Sequence, residues 1–111
     1  MEEGRSAATT AAPSVVTLPR EIDATNSDLV HSDLIAMCVC GVTMVIADLS
    51  STKFCDSSAV RALVRAHQFA AGAGIELRFV VSSPSVLRVL ELSGLRNVLR
   101  LYPSVDAAAG S

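Results

Sequence analysis

The sequence predicts a single α/β domain with a mostly parallel sheet of about four strands, covered by three to four helices. Apolar, β-branched runs alternate along the chain with segments that repeat apolar residues at helical spacing. Such alternation is typical of parallel strands joined by right-handed helical crossovers. The 111 residues suffice for one domain, and half of them are apolar with few aromatics, which suits aliphatic helices packed on a buried sheet.

The first elements lie in the N-terminal third of the chain. Residues 1–14 are rich in Ala, Thr, Ser and Gly, so we expect them to be flexible and the domain to span 15–111. Residues 15–18 form a short β-branched strand that a proline ends. A polar loop is predicted at 20–23, and a helix follows over about 25–37, where apolar residues recur at helical spacing.

The remaining elements follow the same alternation. Residues 42–49 are almost wholly apolar, as a central parallel strand covered on both faces should be. Ser83 and Pro84 can open a helix, as a cap and a first-turn residue do. Gly74 and Gly94 follow helix-patterned segments and are expected to end them. These patterns predict a helix over 57–71, a strand over 75–81, a helix from 83 to Gly94, a strand over 98–101 and a short last helix within 103–109.

Composition and charge exclude several classes of protein. The net charge of −2 and the lack of a basic run argue against a nucleic-acid partner. The longest apolar stretch, 35–47, is shorter than the roughly 20 residues of a membrane-spanning helix, and the N-terminus lacks the apolar block of a signal peptide. An odd set of three cysteines does not fit a secreted disulfide framework, so we expect a cytoplasmic protein.

The most informative segment joins the central strand to the helix over 57–71. Asp56, Ser57 and Ser58 crowd one helix start, although a cap needs a single residue. If Asp56 or Ser57 caps the helix, the other side chain stays free at the positive end of the helix dipole. A phosphate there would add about −1.5 to −2 charges and alter any docked partner. The simplest alternative is a cap and nothing more.

The sequence resembles the STAS domain proteins, the anti-sigma factor antagonists of bacterial partner-switching modules. The resemblance covers about residues 15–105, and its most specific part is the Asp-Ser-Ser segment between strand and helix. The matching runs are Glu21-Ile22-Asp23, Val45-Ile46-Ala47-Asp48-Leu49-Ser50, Phe54-Cys55-Asp56-Ser57-Ser58, Ser83-Pro84-Ser85-Val86 and Leu92-Ser93-Gly94-Leu95. It implies a single STAS-like domain that regulates the availability of a sigma factor.

The resemblance also implies a switch and its partners. Ser57 corresponds to the serine that is phosphorylated by the anti-sigma factor, which is an ATP-dependent serine kinase. The phosphorylated antagonist then dissociates from the anti-sigma factor, and a phosphatase removes the phosphate. The unmodified antagonist binds the anti-sigma factor and frees the sigma factor. The implied partner-binding residues are Glu21, Ile22, Asp23, Lys53, Asp56, Ser57, Ser58, Ala59 and Arg61.

Three departures from the family pattern are expected to affect the choice of partner more than the fold. Ala59 and Arg61 stand where glycines are common, and they add bulk and charge to the helix that the kinase approaches. Pro19-Arg20 replaces the usual polar-glycine step. The first edge strand of the family is weak or missing here, since residues 5–13 make a poor strand. An exposed neighbouring strand would then allow a homodimer.

The cysteines and histidines give weaker signals. Buried cysteine acting as a small hydrophobe is the default interpretation of Cys38, Cys40 and Cys55. A zinc site would need His31 or His67 as a further ligand, but Cys-x-Cys is not a standard zinc spacing, so we expect no metal. Cys55 is the candidate for redox control because it precedes the predicted phosphorylation site.

Enzymatic activity is not expected. The Gly-x-Ser-x-Gly nucleophile elbow of a serine hydrolase is absent, and Gly72-Ala73-Gly74 follows a helix rather than a strand, the wrong order for a dinucleotide site. We therefore expect no catalytic residues and no cofactor. The leading prediction is an anti-sigma factor antagonist switched at Ser57. The alternatives are a STAS regulatory domain that senses a nucleotide or small molecule, and one gated by oxidation of Cys55.

Overall fold

The computed structural model describes residues 13–110 and confirms the predicted α/β class. The predicted strands and helices occur in the predicted order, with boundaries that differ from the expected ones by a few residues, and two short strands, Glu21–Ile22 and Phe54–Cys55, are added to them. The elements are β1 (Ser14–Thr17), β2 (Glu21–Ile22), α1 (Ser27–Ala36), β3 (Met44–Leu49), β4 (Phe54–Cys55), α2 (Ser57–Gly72), β5 (Glu76–Val81), α3 (Pro84–Leu92), β6 (Arg100–Tyr102) and α4 (Val105–Gly110).

Four of the strands form one parallel sheet in the order β1-β3-β5-β6. Ala47 of β3 lies between Val16 of β1 and Phe79 of β5, so β3 and β5 are central. Both central strands are apolar along most of their length because helices cover both faces of the sheet. The parallel sheet of about four strands that the sequence predicts is therefore confirmed.

The main core lies between one face of this sheet and helices α1, α2 and α3. Alternate residues of the central strands point into it, including Leu49 and Phe79, which are fully buried. Helix α2 contributes an aliphatic stripe that includes Leu63 and Ala66, and α1 contributes Leu34. This packing fixes the position of α2, whose first turn carries the Asp-Ser-Ser segment.

The opposite face of the sheet is covered by the short helix α4. Ile46 and Val80 pack there against Ala108. Arg78 lies on the same face and is buried; its guanidinium donates to the Ala108 carbonyl and pairs with Glu76, with Nε 2.6 Å from Oε2. This hydrogen bond from Arg78 lowers the pKa of the Glu76 carboxyl. A charged side chain thus ties α4 to the sheet.

Two helices end at glycines with positive φ. Gly74 (φ 73°) follows α2, and the next amide, Ile75 N–H, donates to the Ala70 carbonyl at 2.8 Å. Gly94 (φ 75°) has the same role after α3, where Leu95 N–H donates to the Leu90 carbonyl at 3.0 Å. These are the helix ends that the sequence predicts, because glycine adopts the left-handed conformation without a steric penalty.

The structure differs from the sequence analysis in one respect that matters for function. The polar loop expected at 20–23 contains strand β2, which pairs in parallel with β4 in a second, two-stranded sheet. Strands of two residues are too short to produce a period in the sequence. Their existence depends on the pairing itself.

The N-terminal expectations fall mostly outside the described residues. The segment expected to be flexible, 1–14, and the poor strand at 5–13 overlap the described part only at Pro13 and Ser14, and Ser14 begins β1. Among residues 13–110, no helix combines the length and the apolar character needed to cross a bilayer.

Candidate functional site

The small β2–β4 sheet brings together two segments that the sequence keeps far apart. Glu21 lies opposite Phe54, and Ile22 lies opposite Cys55. The ladder continues into the first turn of α2, because Asp56 N–H donates to the Ile22 carbonyl at 3.3 Å. The loop that follows β2 therefore begins beside the residues that open α2. We call this area the Asp-Ser surface; it comprises residues 21–23, 53–58 and 61.

Asp23 is held by an internal hydrogen-bond network at the start of the loop after β2. Its Oδ1 accepts from the Thr25 amide at 2.9 Å and from the Thr25 hydroxyl. These bonds, the one from the hydroxyl above all, lower the pKa of the Asp23 carboxyl. Asn26 closes the loop by donating from Nδ2 to the Glu21 carbonyl at 2.8 Å. A fixed, ionised carboxylate therefore lies at this edge of the surface at neutral pH.

Helix α2 is capped by Asp56, which leaves Ser57 free. The Asp56 carboxylate accepts from Ala59 N–H at 3.1 Å, as an N-cap side chain does. Ser57, the first residue of the helix, is exposed, and its hydroxyl makes no hydrogen bond within residues 13–110. Ser58 is half-buried. Of the three crowded side chains, the aspartate has the structural role and the Ser57 hydroxyl is accessible.

Hydroxyl groups fix the loop that leads into β4. The Thr52 side chain is fully buried and donates to the Pro19 carbonyl at 2.7 Å. Ser85, in the first turn of α3, donates to the Lys53 carbonyl at 3.1 Å. Both bonds join residues more than 30 positions apart in the sequence. The backbone of the Asp-Ser surface is thus held from two sides, so it presents a preformed surface.

The predicted partner-binding residues divide into accessible and buried ones. The structure places seven of them with exposed or half-buried side chains: Glu21, Asp23, Lys53, Asp56, Ser57, Ser58 and Arg61. Ile22 and Ala59, in contrast, are fully buried. Their side chains pack in the main core, which differs from the expectation that they contact a partner. They support the surface from below, because the ladder and the cap turn their side chains inward.

Phe54 is a surface residue that the sequence analysis did not select for partner binding. Its side chain is 51% exposed, whereas that of its neighbour Cys55 is buried. Successive residues of a strand point to opposite faces, so Phe54 lies on the outer face of the small sheet with Glu21. The signal that could have revealed it is this alternation, but it becomes visible only once the β2–β4 pairing is known.

The three cysteines are free thiols in different environments. Cys40 is exposed, and Cys38 is half-buried, with burial raising its pKa. Cys55 is buried; burial, reinforced by the Asp56 charge, raises the pKa of its thiol to about 11. Because the thiolate is the reactive form, this environment disfavours oxidation at Cys55. No cluster of three or more metal-ligating side chains occurs within residues 13–110.

Cys55 is expected to react with iodoacetamide much more slowly than Cys40 at pH 8. At that pH a thiol with a pKa near 11 is about 0.1% thiolate, and burial hinders the reagent further. Its labelling rate should rise as the pH approaches 11. Peptide mapping after timed alkylation of the folded protein gives the two rates. Equal rates at Cys55 and Cys40 would contradict the buried environment and favour gating by oxidation.

A small cavity is lined by residues other than those of the Asp-Ser surface. It measures about 320 Å³ at the carboxyl ends of β5 and β6, and Val81, Leu87 and Arg96 are among its lining residues. This volume is at the lower end of the range of small-molecule sites, roughly 300–1,000 Å³. None of the predicted partner-binding residues lines it.

Together these features define a class of protein. It is a parallel α/β domain that presents an exposed serine at the start of the helix after its central strand. The comparison with protein families identifies the particular family: the STAS domain model matches residues 6–108, so the chain belongs to the STAS domain family.

One curated relative and two solved structures are similar to this chain. A Mycobacterium tuberculosis protein named as an anti-anti-sigma factor is 38% identical over 93 residues; the match covers 81% of this chain and 62% of that protein. The chain therefore matches less than two thirds of its relative's length. The anti-sigma factor antagonist SpoIIAA, solved in its unphosphorylated form, superposes with a TM-score of 0.70 at 19% identity, over 94% of this chain and 95% of that one.

The second structure belongs to a differently named protein. A sulfate transporter family protein from Wolinella succinogenes superposes with a TM-score of 0.79 at 14% identity, over 94% of this chain and 87% of that one. At such low identities the two solved structures establish the fold alone.

Proposed function

We propose that this domain is an anti-sigma factor antagonist whose Ser57 is the phosphorylation switch. In this proposal it is not an enzyme; it binds an anti-sigma factor that is an ATP-dependent serine kinase. The observation that carries the proposal is the accessible Ser57 hydroxyl, free of hydrogen bonds within residues 13–110, beside the Asp56 cap and the Asp23 loop. The name of the M. tuberculosis relative points to the same class of regulator.

The arrangement suits a switch because the fold need not change. The Ser57 hydroxyl can accept a phosphoryl group from ATP held by the kinase without breaking the cap, since the cap is Asp56. The new group brings about −1.5 to −2 charges to a surface that already contains Asp23 and Asp56. Desolvating three adjacent anions at a protein interface is unfavourable, so the modified domain leaves its partner.

The cycle needs two further components. Dephosphorylation by a phosphatase restores the binding form, and the free anti-sigma factor then recaptures its sigma factor. All of these steps belong in the cytoplasm, where sigma factors and ATP are found. The domain itself needs no contact with nucleic acid, which agrees with its net charge of −2.

Phosphotransfer to Ser57 is the direct test. The purified domain is incubated with ATP and, in turn, with each purified anti-sigma factor kinase of the source organism, and its intact mass and phosphopeptides are determined. We expect one kinase to add a single phosphate at Ser57 and none to modify Ser57→Ala. Transfer by no kinase, or transfer to another residue in the wild-type chain, would contradict the proposal; Ser58→Ala serves as the matched control that still accepts phosphate.

A further inference from the structure

Ser57 and Arg61 lie on the same exposed face of α2. Arg61 follows Ser57 by four residues, and both side chains are exposed. Side chains at this spacing are neighbours on a helix, with Cβ atoms about 5–6 Å apart. Arg61 forms no ion pair or hydrogen bond within residues 13–110. Its guanidinium is therefore free to reach a new group on Ser57.

We propose that Arg61 binds the phosphate of phosphorylated Ser57 within the same helix. This inference rests on the proposed function, because it concerns the modified form of that switch. An acidic group four residues before a basic one is the favourable orientation for such a pair. The guanidinium presents two parallel N–H donors to phosphate oxygens, and hydrogen bonds between charged groups are stronger than neutral ones. Arg61 thus acts as an internal ligand of the switch.

Other charges near Ser57 act on the same phosphate and must be separated from Arg61. Asp56 and Asp23 are the neighbouring anions, and Glu21 lies on the adjoining strand; all three raise the phosphate's second pKa. Lys53, exposed beside β4, is the competing cation. The carboxylate of Asp56 already accepts from Ala59 N–H. Arg61 differs from Lys53 because it belongs to the same helix as Ser57, and the helix fixes the distance between their Cβ atoms.

The pairing has a regulatory consequence. A guanidinium at this position lowers the phosphate's second pKa, so a larger fraction of the group is dianionic at neutral pH. The guanidinium also holds the phosphate against the helix, so a phosphatase has to displace the Arg61 side chain before it can reach the phosphate. The phosphorylated, unbound form of the domain would persist longer than it would with a neutral residue at position 61.

The test installs phosphoserine at position 57 during translation, so it requires no kinase. The second pKa of this phosphate is measured by ³¹P NMR between pH 4 and 8 in the otherwise wild-type chain and in Arg61→Gln, Lys53→Gln and Arg65→Gln. Arg65 is the matched control on the same helix, because eight residues place it about 12 Å from Ser57 along the axis, too far for a direct ion pair. Far-UV circular dichroism establishes that each variant is folded.

At about 0.1 M salt, where the Debye length is about 10 Å, we expect Arg61→Gln to raise the midpoint by about 0.3 pH unit and Arg65→Gln to leave it within about 0.1. High salt should remove most of the difference. Equal midpoints in the otherwise wild-type chain and in Arg61→Gln would overturn the inference, and so would a shift caused by Lys53→Gln alone. Neither result bears on the proposed function, since a kinase that modifies Ser57 would still establish the switch.

Discussion

Phosphoserine at position 57 is expected to weaken binding to the anti-sigma factor kinase by about 100-fold, which corresponds to roughly 2.7 kcal/mol. The phosphate would bring its charge to an accessible position beside Asp56 and the fixed carboxylate of Asp23. Ser57→Ala removes only an exposed hydroxyl that makes no hydrogen bond within residues 13–110, so this variant should bind as the unmodified protein does. The affinity of Ser57→Asp should lie between those of the phosphorylated and unmodified proteins, because a carboxylate carries less negative charge than a phosphate.

Affinity is measured by calorimetry with the kinase in the presence of ADP, so that no phosphate is transferred. Phosphoserine at Ser93 is the matched control. Ser93 is also exposed, but it lies at the carboxyl end of α3, the opposite end from the Ser85 contact with the loop. If phosphoserine at either position caused the same loss of affinity, the loss would depend on the total charge of the protein and not on a phosphate within the Asp-Ser surface.

Phe54→Ala is expected to weaken binding of the unphosphorylated domain by about 30-fold, or roughly 2 kcal/mol. The Phe54 ring lies on the outer face of the small sheet and is 51% exposed. Charged residues, Glu21 and Lys53 among them, flank it in the sheet and along the chain. An apolar aromatic surrounded by polar groups is the arrangement that dominates the binding energy of many interfaces.

The fold should tolerate this substitution, because Phe54 is not part of either core cluster. Urea denaturation should therefore show a change in the unfolding free energy below about 1 kcal/mol. Leu92→Ala is the control, since Leu92 is 75% exposed at the end of α3 and lies outside the Asp-Ser surface. Wild-type affinity of Phe54→Ala would show that the partner does not use the ring. A comparable loss in Leu92→Ala would show that the binding surface lies elsewhere or is wider.

Much of the fold could be predicted because its signals are local. The apolar run that becomes β3 indicates a strand buried on both faces, and the glycines after α2 and α3 mark helix ends by their conformational freedom. The segment from Asp56 to Ser58 indicates a helix start by its capping chemistry. Each of these features depends on residues close together in the chain.

The candidate site could be predicted only in part. The segments around Asp23 and Ser57 were identified, but the β2–β4 pairing that joins them was not. Without that pairing, Ile22 and Ala59 could not be recognised as buried, nor Phe54 as a surface aromatic. No local pattern indicated that Arg78 would be buried and would hold α4 in place, because its partners come from the far end of the chain as well as from β5.

The amino-acid sequence by itself determined the order of the helices and of the four strands of the main sheet, the family resemblance, and the crowding of an aspartate and two serines at one helix start. Hydrophobic periodicity and capping are properties of neighbouring residues, so the chain contains them directly. Only the tertiary structure decided which residues form the Asp-Ser surface. Two-residue strands have too little hydrogen bonding to exist alone; β2 and β4 form because the core beneath Ile22 and Cys55 holds them side by side.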